Sequence, residues 1–304
     1  MASRKRKKRH INTKSPASLF GQIIGDVFEY VVIGFVERYL DAVHPDYELL
    51  QPEEGKRVVT LEMAGGLSRQ MDNVVAPKES DDPVALLETK WLKDARHHND
   101  KGAWILQLRE VRKNHATIRG AAAILLGYWT EGVGMMLMSE GGVKMVLVAT
   151  DEQVYSTLQN PLDQFLGDDT FILSPEVMRA SYPRPRDLLR LAIQLEETRE
   201  IEVIARAWLE FERIQDENGN MLTGGDLIEA AIDELLSPLP SNPTIARFEV
   251  ALQIDTGNTI YEEFTDMEHL IEFVSTYSSN AEAILDKITP KKNVKYNNSD
   301  TDKT

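Results

Sequence analysis

The sequence predicts an α/β fold, with a long helix, a group of strands and a second helix, followed by a mainly helical α+β region. Two patterns carry this prediction. Apolar residues recur in pairs every four positions from 18 to 43, which is typical of one long helix with a broad apolar face. Between this helix and about residue 150, apolar segments of strand length lie on both sides of one segment with helical spacing. After residue 150, most segments have helical spacing.

Three strands are predicted after the first helix, at 56–65, 69–75 and 84–92. They are separated by "GGLS" and "PKESDDP", which are rich in the residues that form turns. A helix follows at about 101–116. Two continuous apolar runs, at 121–129 and 144–150, have the composition of strands that are covered on both faces. The predicted order is therefore helix, three-stranded meander, helix and strands.

The second half of the chain is predicted to be mainly helical. We expect helices at 151–167, 186–214 and 223–236, the last begun by a capping box of Thr223 and Asp226. The segments 247–254 and 259–264 have the form of a hairpin closed by a short turn that contains glycine, and a helix is expected at 266–277.

Charge divides the chain into four predicted regions. Residues 1–17 form a basic arm, expected to be disordered, which either binds phosphate or serves as a solubilising or targeting tail. Residues 18–150 form the core, and residues 151–290 an acidic accessory region with 9 Lys and Arg against 28 Asp and Glu. Residues 291–304 form a polar tail that is also expected to be disordered. Since the accessory region would repel nucleic acid, we assign it to protein contact, dimerisation or exclusion of the wrong substrate.

Composition and motifs exclude several classes of function. Without cysteine the chain has no disulfide, thiolate zinc site or cysteine nucleophile. Neither a P-loop nor a dinucleotide-binding glycine motif is present, so ATP- or dinucleotide-dependent activity has no support. The basic start does not run into an apolar segment, and the most apolar long window, 121–138, is interrupted by glycines and Glu131. We therefore expect a cytoplasmic protein with no membrane partner.

Charged residues interrupt two of the predicted strands. Because alternate residues of a strand share a face, Glu88 and Lys90 point the same way, among Val, Leu and Trp. Asp72 lies likewise between apolar residues of a strand that could be adjacent. Buried charges need partners, and two carboxylates close together are the oxygen ligands that Mg²⁺ prefers. The alternative is an exposed surface ion pair that contributes little.

This pattern resembles the PD-(D/E)XK nuclease superfamily, which includes restriction endonucleases, over roughly residues 18–150. The resemblance implies a restriction-endonuclease-like three-layer core of helix, mixed central sheet and helix. It also implies that Asp72, Glu88 and the backbone carbonyl of Thr89 bind Mg²⁺ or Mn²⁺, and that Lys90 serves the attacking water. Met71 stands where the family name has proline, a departure that removes no ligand.

Two further sets of residues are predicted to belong to this site. Many members of the superfamily carry an acidic residue on the first helix, and here Glu29 follows Gly25 by four positions. The segment 93–119, directly after Lys90, has seven Lys and Arg against three Asp and Glu, so it is expected to contact DNA phosphates. A solvated helix face is the alternative. The predicted DNA-binding residues are Lys93, Arg96, Lys101, Arg109, Arg112 and Lys113.

The sequence thus predicts a Mg²⁺-dependent DNA endonuclease, with Asp72, Glu88 and Lys90 catalytic and Glu29 assisting. Double-strand cutters of this family are often homodimers, so a homodimer is expected. The rival hypothesis is a catalytically inactive protein that keeps the nuclease fold and acts as a DNA- or protein-interaction module.

Overall fold

A computed structural model describes residues 14–52, 58–93, 98–130, 132–134, 142–180, 182–239, 241–242, 244–255 and 257–288. Most of the predicted basic arm and the whole polar tail lie outside these residues, as does Arg96. The helices are α1 (Pro16–Val43), α2 (His98–Leu106), α3 (Leu108–Asn114), α4 (Asp151–Leu166), α5 (Pro175–Ala180), α6 (Pro185–Glu197), α7 (Glu200–Leu209), α8 (Gly224–Leu236), α9 (Met267–Ser279) and α10 (Ala281–Ile288).

The strands are β1 (Tyr47–Leu49), β2 (Val59–Glu62), β3 (Ser68–Met71), β4 (Asn73–Pro77), β5 (Ala85–Leu92), β6 (Gly120–Gly127), β7 (Val143–Ala149), β8 (Glu212–Gln215), β9 (Met221–Thr223), β10 (Phe248–Gln253) and β11 (Thr259–Phe264). Within the described chain, a mixed sheet has the order β1-β4-β5-β6-β7. Its first three strands are antiparallel, and β5, β6 and β7 are parallel. The prediction of an α/β fold is confirmed in this outline.

Helices cover both faces of this sheet. The apolar face of α1 packs in a first core cluster with Leu87 of β5, and Leu86 packs in a second cluster with Ile105 and Leu108 of α2 and α3. The predicted alternation along β5 is therefore confirmed. Glu88 and Lys90 belong to the face that α2 and α3 cover.

Helix α1 begins two residues before the predicted apolar repeat, and its apolar face is buried. The hydroxyl of Ser15 accepts a hydrogen bond from the Ser18 N–H and caps the helix, and proline occupies its first turn. By length and composition α1 could cross a membrane, with a mean hydropathy of 1.6 in its most apolar window. Here that apolar face contributes to the core.

Several predicted elements differ from the structure. The strand predicted at 69–75 is two strands, β3 and β4, separated by a bend at Asp72. The helix predicted at 101–116 is two helices, α2 and α3, that are interrupted at Gln107. The helix predicted at 186–214 breaks after α6, because Arg199 adopts a left-handed conformation with φ of 62°, and its last residues form β8. The first meander strand is shorter than predicted and pairs with β3 in a separate hairpin rather than in the central sheet.

The domain boundary also differs from the prediction. The chain divides into two compact units, residues 1–237 and 238–304, rather than at residue 150. Helices α4, α6, α7 and α8 supply buried residues to the same core cluster as α1, so most of the acidic region completes the first unit. In the second unit, β10 and β11 form the predicted hairpin, which α9 follows.

Candidate functional site

The register of the central sheet places Asp72 beside Glu88. Strands β4 and β5 are antiparallel with Asn73 opposite Leu87, so the residue before Asn73 lies next to the residue after Leu87. Asp72 occupies the bend between β3 and β4. The bend at Asp72 and the pairing of β4 with β5 therefore place the Asp72 carboxylate next to that of Glu88.

The ammonium of Lys90 lies at the meeting point of three oxygens. Its Nζ is 2.7 Å from Asp72 Oδ2, 2.6 Å from Glu88 Oε1 and 2.9 Å from the carbonyl oxygen of Thr89. The two carboxylate oxygens can therefore be no farther apart than the sum of 2.7 Å and 2.6 Å. The structure thus brings together the four residues on which the predicted chemistry depends.

The carboxylate of Asp72 is held by three donors. Besides Lys90, the backbone N–H of Thr89 donates to Oδ2 at 3.1 Å and the Thr89 hydroxyl donates at 3.4 Å. Charge-assisted hydrogen bonds of this kind are the stronger ones in proteins. Asp72 remains partly accessible, with 18% of its side chain exposed.

Two residues at the site were missed from the sequence, Arg69 and Trp104. The Arg69 Nη2 lies 3.1 Å from Glu88 Oε1, and the Trp104 indole N–H donates to the same oxygen at 3.2 Å. The Arg69 guanidinium also lies over the Trp104 ring, 5.1 Å from its centroid. A charged residue on the buried face of the "SRQM" strand was the available signal for Arg69, whereas Trp104 has the helical spacing of a core residue.

Two buried polar groups at the site lack hydrogen bonds. Glu88 Oε2 has none, although only 1% of the Glu88 side chain is exposed. The three guanidinium nitrogens of Arg69 likewise make none, because its contact with Glu88 has the distance of an ion pair without the angle of a hydrogen bond. A buried polar group without a partner costs about 1–3 kcal/mol, so such groups often mark the position of a ligand or ion.

The site shifts the pKa of two of its groups. Burial raises the pKa of the Glu88 carboxyl, with a further contribution from Asp72, and the attraction of Lys90 and Arg69 offsets this only in part. Burial lowers the pKa of the Lys90 ammonium, but the attraction of Glu88 and Asp72 outweighs it, so the pKa is raised overall. Lys90 is therefore protonated at neutral pH in this arrangement.

These residues fit a hard divalent cation. Mg²⁺ binds one or two carboxylates, accepts carbonyl oxygens and keeps several waters for substrate. Asp72, the free oxygen of Glu88 and the carbonyl of Thr89 supply such a set. Within the described ranges, no group of three or more His, Asp or Glu side chains could hold a metal, so a cation here would depend on two carboxylates and the backbone.

The predicted assisting residue Glu29 lies on a different element from this cluster. It is a half-buried residue of α1, one turn after Gly25, whose backbone packs against the Trp91 side chain. Trp91 and α1 belong to the sheet face opposite that of Glu88 and Lys90. An assisting role for Glu29 stays a prediction.

The predicted DNA-binding residues are in different environments. Lys101 is exposed and has no partner among the described residues. Lys113 pairs with Glu110 at 2.8 Å, and Arg112 donates to the carbonyl of Gly142 at 2.9 Å. The latter contact ties α3 to the start of β7.

The other two described members of this set are half-buried. The Lys93 ammonium lies 3.8 Å from the centroid of the Tyr182 ring, and Arg109 is a half-buried residue of α3. Contact of these basic residues with DNA stays a prediction.

Comparison of the chain with protein-family models, with curated proteins and with solved structures gave no match.

Proposed function

We propose that this chain is a Mg²⁺-dependent nuclease that hydrolyses phosphodiester bonds of DNA with a restriction-endonuclease-like core. One observation carries the proposal: Asp72, Glu88 and the Thr89 carbonyl converge on the ammonium of Lys90. These are the oxygens that the resemblance implies as metal ligands. A mixed central sheet with helices on both faces also supports it.

The charges of the site set a condition for this reaction. Asp72 and Glu88 carry two negative charges, and Arg69 and Lys90 carry two positive charges. A divalent cation would leave the buried site with an excess of two positive charges, which is costly at low dielectric. One phosphodiester and one hydroxide would balance this excess, as hydrolysis requires.

Each residue then has a defined role. Asp72, Glu88 and the Thr89 carbonyl would hold Mg²⁺, which when bound lowers the pKa of a water and neutralises charge on a phosphate. During hydrolysis the water oxygen bonds to phosphorus and gives up a proton to solvent, the ester P–O bond breaks, and the leaving alkoxide takes a proton from solvent. Lys90 is protonated, so it would stabilise the charge on the phosphate oxygens rather than remove a proton from water.

A second candidate function is that of an inactive nuclease-fold module for DNA or protein interaction. It is favoured by the same charge balance, because Lys90 already compensates both carboxylates without a metal ion. In this alternative the ammonium permanently occupies the position of the cation.

A cleavage assay tests the proposal. Plasmid, branched and single-stranded DNA are incubated with Mg²⁺ or with chelator, using the wild type and the variants Asp72→Asn, Glu88→Gln and Lys90→Met. Matched controls are Glu79→Gln and Lys78→Met, exposed residues of the turn after β4. We expect Mg²⁺-dependent cleavage that all three site variants abolish and both controls retain. Absence of cleavage on every substrate, or equal cleavage by the site variants, would contradict the proposal.

A further inference from the structure

Trp104 differs from the other tryptophans of the chain. It is 45% exposed, whereas Trp208 is fully buried and Trp91 and Trp129 are half-buried. It lies on α2, directly beside the buried cluster of Glu88 and Arg69. Single exposed apolar residues are common on protein surfaces, so exposure alone would need no explanation.

The indole ring is, however, held in place. Its N–H donates to Glu88 Oε1 at 3.2 Å, and one face lies over the Arg69 guanidinium. The Arg69 guanidinium lies against one face, and 45% of the residue is exposed, so part of the ring surface is accessible to a ligand. A ring that is already ordered loses little conformational entropy when a ligand stacks on it.

We propose that the accessible surface of the Trp104 ring stacks on an unpaired base, so that the site acts on single-stranded nucleic acid or on an unpaired segment of a duplex. This inference rests on the proposed nuclease function and deepens it. Base–aromatic stacking is the main sequence-tolerant contact of single-strand binding proteins. In an intact duplex both faces of each base are already stacked, so the indole can reach a base only where the strand is open.

A cation next to the ring supports the same ligand. Lys101 precedes Trp104 by three residues, so the two side chains are neighbours on the surface of α2. Lys101 is exposed and has no partner among the described residues, which leaves its ammonium available to a phosphate. An aromatic platform beside a lysine is the combination that a single strand requires.

The position of the ring also connects binding to the reaction. The indole donates a hydrogen bond to Glu88, and Glu88 contacts Lys90, so a nucleotide stacked on Trp104 would lie close to this cluster. Holding a reactant in position in this way accelerates a reaction. Trp104 would thus determine which strand conformations are cleaved.

Equilibrium binding tests this inference. Oligo(dT) and a blunt-ended duplex of equal length, each carrying a fluorescent label, are titrated with the full chain with Ca²⁺ in place of Mg²⁺. The anisotropy of the label measures binding to the wild type and to every variant, and the tryptophan fluorescence of the wild type is followed in parallel. The variants are Trp104→Leu, which removes the aromatic face, and Trp104→Phe, which keeps it but removes the N–H donor. Tyr261→Leu is the control, because Tyr261 is an exposed aromatic residue of the second unit.

We expect oligo(dT) to quench the wild-type fluorescence and Trp104→Leu to weaken its binding about tenfold or more. Trp104→Phe should retain most of the affinity, and duplex binding should be unchanged in every variant. Equal losses on both ligands, no loss in Trp104→Leu, or equal losses in both Trp104 variants would overturn the inference. If the wild type cleaves DNA and Trp104→Leu binds oligo(dT) as tightly as the wild type, only the stacking role is refuted. If the wild type neither binds nor cleaves DNA, the nuclease proposal is refuted.

Discussion

Replacement of Lys90 by methionine distinguishes the two hypotheses for this site, a Mg²⁺ site and a permanent ion network without metal. Methionine keeps much of the side-chain volume but removes the charge from the centre of three oxygens. Removing one partner of a buried ion pair costs about 3–5 kcal/mol. Because Lys90 is 16% exposed and Arg69 still faces Glu88, we expect the lower end of this range, about 3 kcal/mol, as the loss in free energy of unfolding.

Mg²⁺ should restore much of this loss. In Lys90→Met the two carboxylates face each other without the ammonium, so a divalent cation competes with the Arg69 guanidinium but no longer with Lys90. A ligand present at 100 times its dissociation constant stabilises the folded state by about 2.7 kcal/mol. In the wild type the gain should be smaller, since the ammonium must first leave its position.

Urea unfolding at pH 7 with Mg²⁺ or with chelator measures both effects. Lys78→Met is the control for loss of a lysine, because Lys78 is 42% exposed and lies 3.7 Å from its partner Asp41. It should show neither the loss nor the Mg²⁺ response. Adding Asp72→Asn to Lys90→Met should remove the response. If Mg²⁺ leaves the stability of Lys90→Met unchanged, the carboxylates do not form a metal site and the interaction module becomes the better hypothesis.

Three further outcomes follow from the geometry. Arg69→Gln should strengthen Mn²⁺ binding about tenfold by calorimetry, because it removes one of the two positive charges beside the carboxylates, whereas unchanged or weaker binding would contradict this charge balance. Burial raises the pKa of Glu88, and a protonated carboxyl does not bind a metal ion. Cleavage and Mn²⁺ binding should therefore begin to fall, as the pH is lowered, above the ordinary glutamate pKa of about 4.3. A loss of activity that begins only at or below that pH would contradict this. Gly127→Ala should lower the free energy of unfolding, measured in urea, by more than about 2 kcal/mol. Gly127 has a φ of 95°, and a Cβ there would collide with the Leu92 carbonyl oxygen. An unchanged free energy of unfolding would refute this prediction.

Much of the central sheet and part of the site could be predicted from local patterns. The four-residue repeat of α1 and the two-residue alternation of β5 depend on backbone geometry alone, so they identify both elements and place Glu88 and Lys90 on one face. The capping box of α8 is local in the same way, and the structure contains it.

Other features depend on contacts between distant residues. The break after α6 lies within one continuous apolar pattern, and the left-handed Arg199 that ends it has no signal in residue type. The division at residue 237 rather than 150 follows from the packing of α6 and α7 on α1, which composition and charge do not show. The local charge excess predicted contacts with DNA phosphates, but it could not show that Arg112 and Lys113 also have partners within the protein.

The candidate site shows the same division. By itself, the sequence determined that Asp72, Glu88 and Lys90 are charged residues within largely apolar segments, and the burial of a charge requires a partner. Only the tertiary structure decided which partners these are. It placed Arg69 and Trp104 against one oxygen of Glu88, left the other oxygen without a hydrogen bond, and set the ammonium of Lys90 among the three predicted ligands. Those contacts join β3, β5 and α2, and their geometry depends on how the sheet and helices pack rather than on spacing along the chain.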